Sequence, residues 1–405
     1  MRLFRRLIYL LSFLFSPFIY LFIKLFSFIK IIRIIPLLSN RYGHLVMNPE
    51  IYFLEKIENK LNKKYFDIFF YSKYGICNLV VFNLWKKKIK IFPFYLIEPT
   101  YNLLIKLEKQ NSIHTIPYFQ EKTRFVNIKI KKDTPNIKLN EFQEKNCEEI
   151  LNKNNIDIKN IKYVCLFNRD DAYLNSFKNK KDWYYLSHHN YKIKSFEYVA
   201  KKLVERNIFF FRMGAIVEDK FNLNNPKIID YANSSFRSEL MDFYLASKCM
   251  FGISGGTGSS IVSMLYRKPI LDLNANLHHL VTFLDNSVLL SKHYYDRVKK
   301  KNLSLKEILS FKEHEFKKRN QLDKKNIEMI DCTPEEISEA AIEMLDRLED
   351  KWEDNTNISE LQNKFRDQNW QNIYQERNGV KNYLHEEIKA KYSSKYLIKN
   401  PNWLD

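Results

Sequence analysis

The stretch Met250-Phe251-Gly252-Ile253-Ser254-Gly255-Gly256-Thr257-Gly258-Ser259-Ser260-Ile261-Val262-Ser263-Met264-Leu265-Tyr266 decides the reading of this chain. Residues 250–253 form a short apolar run with strand character. A turn of glycine, serine and threonine follows over 254–260. Residues 261–266 leave room for a helix, and 269–273 are apolar again. Strand, glycine turn, helix and strand make up the repeating unit of a parallel α/β sheet. Of the 8 glycines in the chain, half (Gly252, Gly255, Gly256 and Gly258) lie here. A glycine-rich turn at a helix start exposes backbone N–H groups and the positive end of the helix dipole, which suits a diphosphate. Hydroxyls of Thr257 and Ser259 add donors. The turn is neither a Walker-type loop nor a full GxGxxG fingerprint. A tight turn needing positive φ would show the same composition.

Reading outward, the same alternation continues. Residues 163–167 predict a strand ending in Asn168-Arg169-Asp170. The apolar face of 195–206 (Phe196, Val199, Ala200, Leu203) predicts a helix. Residues 208–212 predict a strand leading into Met213-Gly214, and 228–231 one that ends on Asp230-Tyr231. Residues 239–247 predict a helix. In an open parallel sheet, ligands bind at the carboxyl ends of the strands. Arg169, Arg212 and Asp230 therefore share an edge with the glycine turn, and an arginine there suits a phosphate. Arg212 and Asp230 forming a structural ion pair is the alternative.

An earlier block has the same rhythm. Strands are expected at 31–38, 66–71, 89–95 and 115–119, with helices at 49–61, 77–85 and 100–110; Pro49 is taken as a first-turn proline. Arg41-Tyr42-Gly43-His44 follows the first strand, so His44 lies at that sheet's carboxyl edge. Imidazole titrates near neutrality and can serve as a general base toward an acceptor hydroxyl. A loop-packing histidine is the alternative. The polar residues 133–140 and a connector helix over 141–152 separate the blocks. Beyond Ser304 the chain reads as helical, and Thr333-Pro334-Glu335-Glu336 has the form of a helix start. The expected organisation is an apolar segment over 1–30, one Rossmann-like domain over 31–155, a second over 156–330, and a helical extension over 331–405.

The first thirty residues differ from the rest. Arg2, Arg5 and Arg6 precede an uncharged run over 7–23 that Pro17 interrupts. Its length is at the lower limit for a spanning helix, and no small-residue cleavage site follows. A basic, aromatic-rich anchor on the cytoplasmic leaflet is the favoured reading; a spanning helix and a buried helix are the alternatives. The 66 Lys and Arg against 47 Asp and Glu give a net charge of +19, which attracts polyanions without choosing among them. Much of the lysine sits beside Asn and Ile, as a solvated surface would. The five cysteines have no pairing or metal-ligand spacing, which argues against a disulfide framework and a zinc site. His188-His189 and His278-His279 catch the eye, but adjacent side chains on a strand face opposite ways, and no DxD cluster accompanies them. No metal is expected.

The runs Arg41-Tyr42-Gly43-His44-Leu45, Phe167-Asn168-Arg169-Asp170, His189-Asn190-Tyr191, Phe211-Arg212-Met213-Gly214, Ile229-Asp230-Tyr231-Ala232 and Gly255-Gly256-Thr257-Gly258 occur in this order. Jointly they resemble a bacterial family of glycosyltransferases associated with surface polysaccharide synthesis. The resemblance covers roughly 33–348, and Leu397-Ile398-Lys399-Asn400-Pro401 adds to it. It implies a GT-B fold, two Rossmann-like domains facing a cleft. It also implies that Arg212, Gly255, Gly256, Thr257 and Ser259 contact a nucleotide-sugar donor and that His44 faces a glycan or lipid-linked acceptor. Such a transferase would need no metal ion or cofactor, since arginine and loop amides stabilise the diphosphate leaving group. The N-terminal anchor falls outside the resemblance; its basic character fits a lipid-linked acceptor at the cytoplasmic face of the inner membrane, with an anionic membrane surface as partner and no nucleic acid expected. Two other classes remain: a Rossmann enzyme of another kind, which would carry a dinucleotide fingerprint after the first strand, and a non-enzymatic basic protein binding anionic lipid or nucleic acid. The assignment predicts that Arg212→Ala and Gly256→Val abolish donor binding with the fold intact.

Overall fold

The computed structural model describes residues 2–58, 64–108, 112–116, 134–176, 187, 190–275, 277, 286–311, 319–368, 370 and 390–405. The chain forms two compact units, Met1–Asn140 and Glu141–Asp405. The division falls before the helix Glu141–Lys153, which the sequence suggested was a connector. That helix buries Cys147 and Leu151 and is tied to the helix Glu239–Lys248 by Lys248–Glu144 at 2.8 Å. It is part of the second unit's wall.

The first unit is built on three parallel strands, β1 (Ile31–Leu37), β2 (Tyr65–Tyr71) and β3 (Ile91–Phe92), in the order β1-β2-β3. On the free side of β1, Ile34 forms a parallel bridge to Thr115. Residues 117–119 of the expected fourth strand lie outside the described residues. β1 is therefore the pivot from which connections run both ways, and its carboxyl end is a topological switch point. The helix after it, Tyr42–Glu58, starts well before Pro49 and carries that proline inside. The reason is burial: Leu45, Val46 and Met47 are fully enclosed, and seating them outweighs the one intrahelical bond that proline forfeits. The helix Phe94–Glu108 tolerates Pro99 likewise and buries Tyr101 and Leu104; it takes the last two residues of the expected third strand, of which only Ile91–Phe92 is strand. Arg33 of β1 is buried against β2, with its Nε 2.6 Å and Nη2 3.0 Å from the two Asp67 oxygens, and the Tyr52 hydroxyl donates to the same carboxylate.

The second unit contains a seven-stranded sheet. Its strands are β4 (Tyr163–Phe167), β5 (Phe209–Met213), β6 (Ile228–Ile229), β7 (Gly252–Ser254), β8 (Ile270–Ala275), β9 (Val288–Ser291) and β13 (Lys391–Tyr392), in the order β13-β9-β8-β7-β4-β5-β6. Every neighbouring pair is parallel. A small antiparallel sheet of β10 (His293–Asp296), β11 (Lys301–Asn302) and β12 (Ile327–Ile330) follows β9. The sequence placed only helices beyond Ser304, so β12 and β13 are additions. The helix Pro334–Leu348 starts where expected, with a capping box between Thr333 and Glu336. Its partner, the helix Glu197–Glu205, is joined to it by Arg206–Asp346 at 2.7 Å.

β13 is an edge strand, and its outer backbone groups are satisfied by one side chain. Gln362 donates to the Tyr392 carbonyl at 2.6 Å and accepts from the Tyr392 N–H at 3.1 Å, and it is buried. Gln362→Leu leaves both groups unpaired inside the protein. At 1–3 kcal/mol for each unsatisfied group, the expected loss is roughly 2 kcal/mol or more. Urea unfolding measures it; a change below about 0.5 kcal/mol, the size of an ordinary surface substitution, would show that water replaces the amide.

Candidate functional site

β4 continues to β5 and β6 in one direction, whereas β7, β8 and β9 lie on its other side. The switch point of the second sheet is thus between β4 and β7, and the segments leaving their carboxyl ends are Asn168-Arg169-Asp170 and the glycine turn. In parallel sheets this crevice is where ligands bind. The carboxyl ends of β4 and β7 are adjacent, so Arg169 and the glycine turn leave from neighbouring strands.

The glycine turn is held from within. Ser254 Oγ donates to Ser260 Oγ at 3.0 Å, and Ser260 donates onward to the Thr257 carbonyl at 2.8 Å. Thr257 Oγ1 and Ser259 Oγ are 2.9 Å apart, both half-buried. Gly256 and Gly258 are exposed. Gly256 has φ +74°, a left-handed conformation that glycine adopts without cost. Gly255 is buried for another reason. A Cβ there would lie 1.8 Å from the Tyr191 hydroxyl oxygen and 2.0 Å from its ring. The Tyr191 hydroxyl donates to the Gly255 carbonyl. Burial pushes that hydroxyl's pKa well up, so it remains a donor at any ordinary pH. The helix that follows, Ile261–Leu265, has five residues. Its dipole is too short to matter, so any anion affinity must come from the turn's amides and hydroxyls and from side-chain cations.

Tyr191 links the two halves of the crevice. Its N–H donates to the Arg169 carbonyl at 3.1 Å, and Asn168 Nδ2 reaches its carbonyl at 3.4 Å. Arg169 is half-buried and its charge acts on the Tyr191 hydroxyl. Lys292, directly after β9, is a further buried cation. Its ammonium is 5.0 Å above the Tyr191 ring centre and 2.5 Å from Asp331. Asp272 of β8, in register with Ser254, also acts on Tyr191. Neither Lys292 nor Asp272 was singled out from the sequence. Lys292 obeys the carboxyl-end rule and was missed because β9 was; Asp272 lies in the middle of β8, which continues to Ala275.

Arg212 and Asp230 are placed differently from expectation. Arg212 has no solvent exposure. Its Nη1 is 3.1 Å from Asp230 Oδ1 and its Nη2 4.0 Å from Asp170 Oδ2. Asp230 Oδ2 accepts from the Phe221 N–H at 2.9 Å and from Asn233 Nδ2 at 2.7 Å. Asp170 accepts from the N–H groups of Ala172 and Glu218, both at 3.1 Å. Arg212 is therefore an internal brace joining the ends of β4, β5 and β6, and the structural ion pair describes it. Arg169 is the half-exposed cation at the switch.

In the first unit, His44 lies in the opening turn of the helix Tyr42–Glu58, at the carboxyl end of β1. Its Nδ1 is 3.4 Å from Asn48 Oδ1. Burial lowers its pKa below the ordinary 6.5, the Asn48 contact opposes this, and Arg41 adds to the lowering. The ring is thus neutral at pH 7, the form a general base requires. His188, His189, His278 and His279 lie outside the described residues. Among the described residues, His293, Cys332 and Glu336 bring ligand-type atoms within 4.8 Å of one another. Glu336 Oε2 already accepts from His293 at 3.0 Å and from the Thr333 N–H at 2.8 Å, and the Cys332 thiol donates to the Ser291 carbonyl. That trio works as a helix-start brace.

No family model and no curated protein matches the chain. Among solved structures it is similar to a glycosyl transferase of family 9 from Veillonella parvula DSM 2008, with a TM-score of 0.38 and 10% identity over 65% of this chain and 86% of that one. It is also similar to ADP-heptose LPS heptosyltransferase II of E. coli, with a TM-score of 0.38 and 8% identity over 73% of this chain and 98% of that one.

Proposed function

We propose that this protein transfers a sugar from a nucleotide-activated donor to a glycan or lipid-linked acceptor at the cytoplasmic face of a membrane, without a metal ion. The observation that carries the reading is the topology at the carboxyl ends of β4 and β7. It brings an exposed glycine turn, two half-buried hydroxyls and a half-buried arginine to the switch point of a parallel sheet. A donor diphosphate would take its hydrogen bonds from the turn around Gly256, Thr257, Gly258 and Ser259. Arg169 would supply the charge that stabilises the leaving nucleotide. Gly255 would set how closely the backbone approaches. Arg212 and Asp230 would act only by holding Arg169 and its loop in place.

Thermal unfolding of the whole chain in detergent, against UDP-, GDP-, ADP- and CMP-sugars with no metal added, tests this reading. Ligand at a hundred times its dissociation constant stabilises the native state by about 2.7 kcal/mol. One nucleotide class should raise the midpoint, and Arg169→Ala should weaken that donor roughly tenfold to a hundredfold through loss of charged hydrogen bonds. Indifference to every donor in a folded sample would favour the non-enzymatic reading.

His44 would accept the proton of the acceptor hydroxyl. Because its folded pKa is depressed, the base stays neutral as pH falls through 6.5 and protonates only below that value. The acid limb of the rate profile should therefore lie below pH 6.5, and His44→Gln should remove it. A limb that persists in His44→Gln would assign the base elsewhere.

A further inference from the structure

The N-terminal helix Arg2–Phe26 has its polarity inside out. Between Leu7 and Ile23 the polar side chains are Tyr9, Ser12, Ser16 and Tyr20. Their spacing of three, four and four puts them on one helical face. That face is the one turned to the first unit. Ser16 and Ile23 are buried, Tyr9, Ser12 and Tyr20 half-buried, and Tyr20, Ile23 and Phe26 pack with Ile32, Ile34, Phe70, Tyr101 and Leu104. The remaining face is apolar and exposed: Leu3 82%, Phe4 66%, Phe18 71% and Leu25 63%. Phe28 and Ile29 beyond the helix are exposed at 91% and 76%. Water penalises such a surface, whereas lipid favours large apolar groups outside and small polar ones at the helix contact.

The helix is also docked along its length. Arg5, Arg6, Tyr9 and Leu10 line a groove of about 430 Å³ with Phe94, the first residue of the helix Phe94–Glu108. At the other end Lys24 Nζ is 3.0 Å from Glu108, the last residue of that helix. The two helices therefore run parallel, end matched to end. If the N-terminal helix stood along the bilayer normal, its companion would enter the hydrocarbon with Glu98, Lys106 and Glu108. Each such charge costs at least about 2.5–3.5 kcal/mol at mid-depth.

We infer that this helix is a monotopic anchor that lies in the plane of an anionic leaflet. Its Leu and Phe face sinks to acyl depth while the first unit stays in water. The occupant of the exposed face is lipid, for three reasons. The face is continuous over a length that can enter hydrocarbon. It has no acidic residue. Exposed Arg5 and Arg6 at its start, together with the net charge of +19, complement anionic headgroups. The inference goes beyond sugar transfer and does not depend on it.

The test reads depth rather than activity. In full-length protein carrying Cys77→Ser, single cysteines are placed at the exposed positions Phe4, Phe15 and Phe22 and labelled with an environment-sensitive fluorophore. Quenching by lipids spin-labelled at graded depths is then measured in phosphatidylglycerol vesicles and in phosphatidylcholine vesicles. The expected result is one shallow depth at all three positions, and roughly thirtyfold weaker binding to phosphatidylglycerol in Arg5→Ser/Arg6→Ser, each charge being worth about one kcal/mol near the surface. A deep label at 15 with shallow labels at 4 and 22 would mean a spanning helix and overturn the inference, leaving the donor site untouched. Absence of quenching at every position would overturn it too, showing that protein covers the face. Equal affinity for both vesicle types would overturn the anionic part.

Discussion

Gly255→Val should remove all donor-induced stabilisation and lower the stability of the second unit by itself. The Cβ would meet the Tyr191 hydroxyl oxygen at 1.8 Å and the ring at 2.0 Å, well inside van der Waals contact. Tyr191 has no room to yield. It is buried, its hydroxyl bonds the carbonyl of the very residue being replaced, and its ring is held between Lys292 and Phe196. The turn must shift instead, carrying Gly256 to Ser259 away from the crevice. Overpacking of this kind costs about 1–3 kcal/mol. Tyr191→Ala in the same chain vacates the contested space, so the two changes together should cost less than their sum. A double-mutant cycle on unfolding free energies, with and without the donor found in the screen, reads both effects. Additive costs, or full donor stabilisation in Gly255→Val, would show that Tyr191 does not set the turn. Gly256 differs: nothing lies within 4 Å of a Cβ there, and the strain comes from its φ of +74°. Gly256→Val should cost about 1–2 kcal/mol from that conformation alone, with no packing clash.

Arg212→Ala should be the most destabilising single change at this edge, by about 3–5 kcal/mol, the usual effect of stripping one partner from a buried ion pair. The guanidinium is fully enclosed between Asp230 and Asp170. Both carboxylates also hold backbone amides of the segments after β4 and β5. Without the arginine, two negative charges remain near each other with no cation between them. For a domain of this size, 1 kcal/mol moves the melting midpoint by about 2–4 °C, so the drop should be on the order of 10 °C. Thermal unfolding of the purified chain decides the matter. An unchanged midpoint together with lost donor binding would restore Arg212 as a ligand and refute the brace. The enclosed guanidinium thus replaces the expectation of an intact fold in Arg212→Ala with a different one, in which donor binding should fail because the edge fails.

The sheet that frames the crevice was legible because its strands are near-continuous apolar runs, as strands buried on both faces must be. Tyr163–Phe167 and the turn after Gly252 were read to within a residue or two on that ground. Arg169 and Arg212 could not be told apart. Both are arginines at strand ends, and which is enclosed depends on Asp170 and Asp230 arriving from elsewhere in the chain. The start of the helix at Tyr42 was misplaced because a proline usually marks a first turn, whereas here the buried Leu45, Val46 and Met47 settle the matter. β11 and β13 are two residues long. No periodicity exists in so short a run, and only the sheet beside them makes them strands. The polar stripe of the N-terminal helix lies in the spacing of Tyr9, Ser12, Ser16 and Tyr20 but was read only as an uncharged run. Its direction was not legible, since facing protein or facing water is a question of tertiary contact.

The position of β13 has a consequence for how the second unit is made. β9 is paired with β8 on one side and with Lys391–Tyr392 on the other. During synthesis its outer edge therefore stays open, with unpaired amides and carbonyls, until the chain has grown beyond Tyr392 and that stretch has left the ribosome. An open edge of buried apolar residues is a template for pairing with another nascent chain. A stop codon between the helix Pro334–Leu348 and Lys391 should thus yield an aggregating product even though the turn and Arg169 lie upstream of it. The vulnerable window of this protein's life is the interval between making its site and closing its sheet.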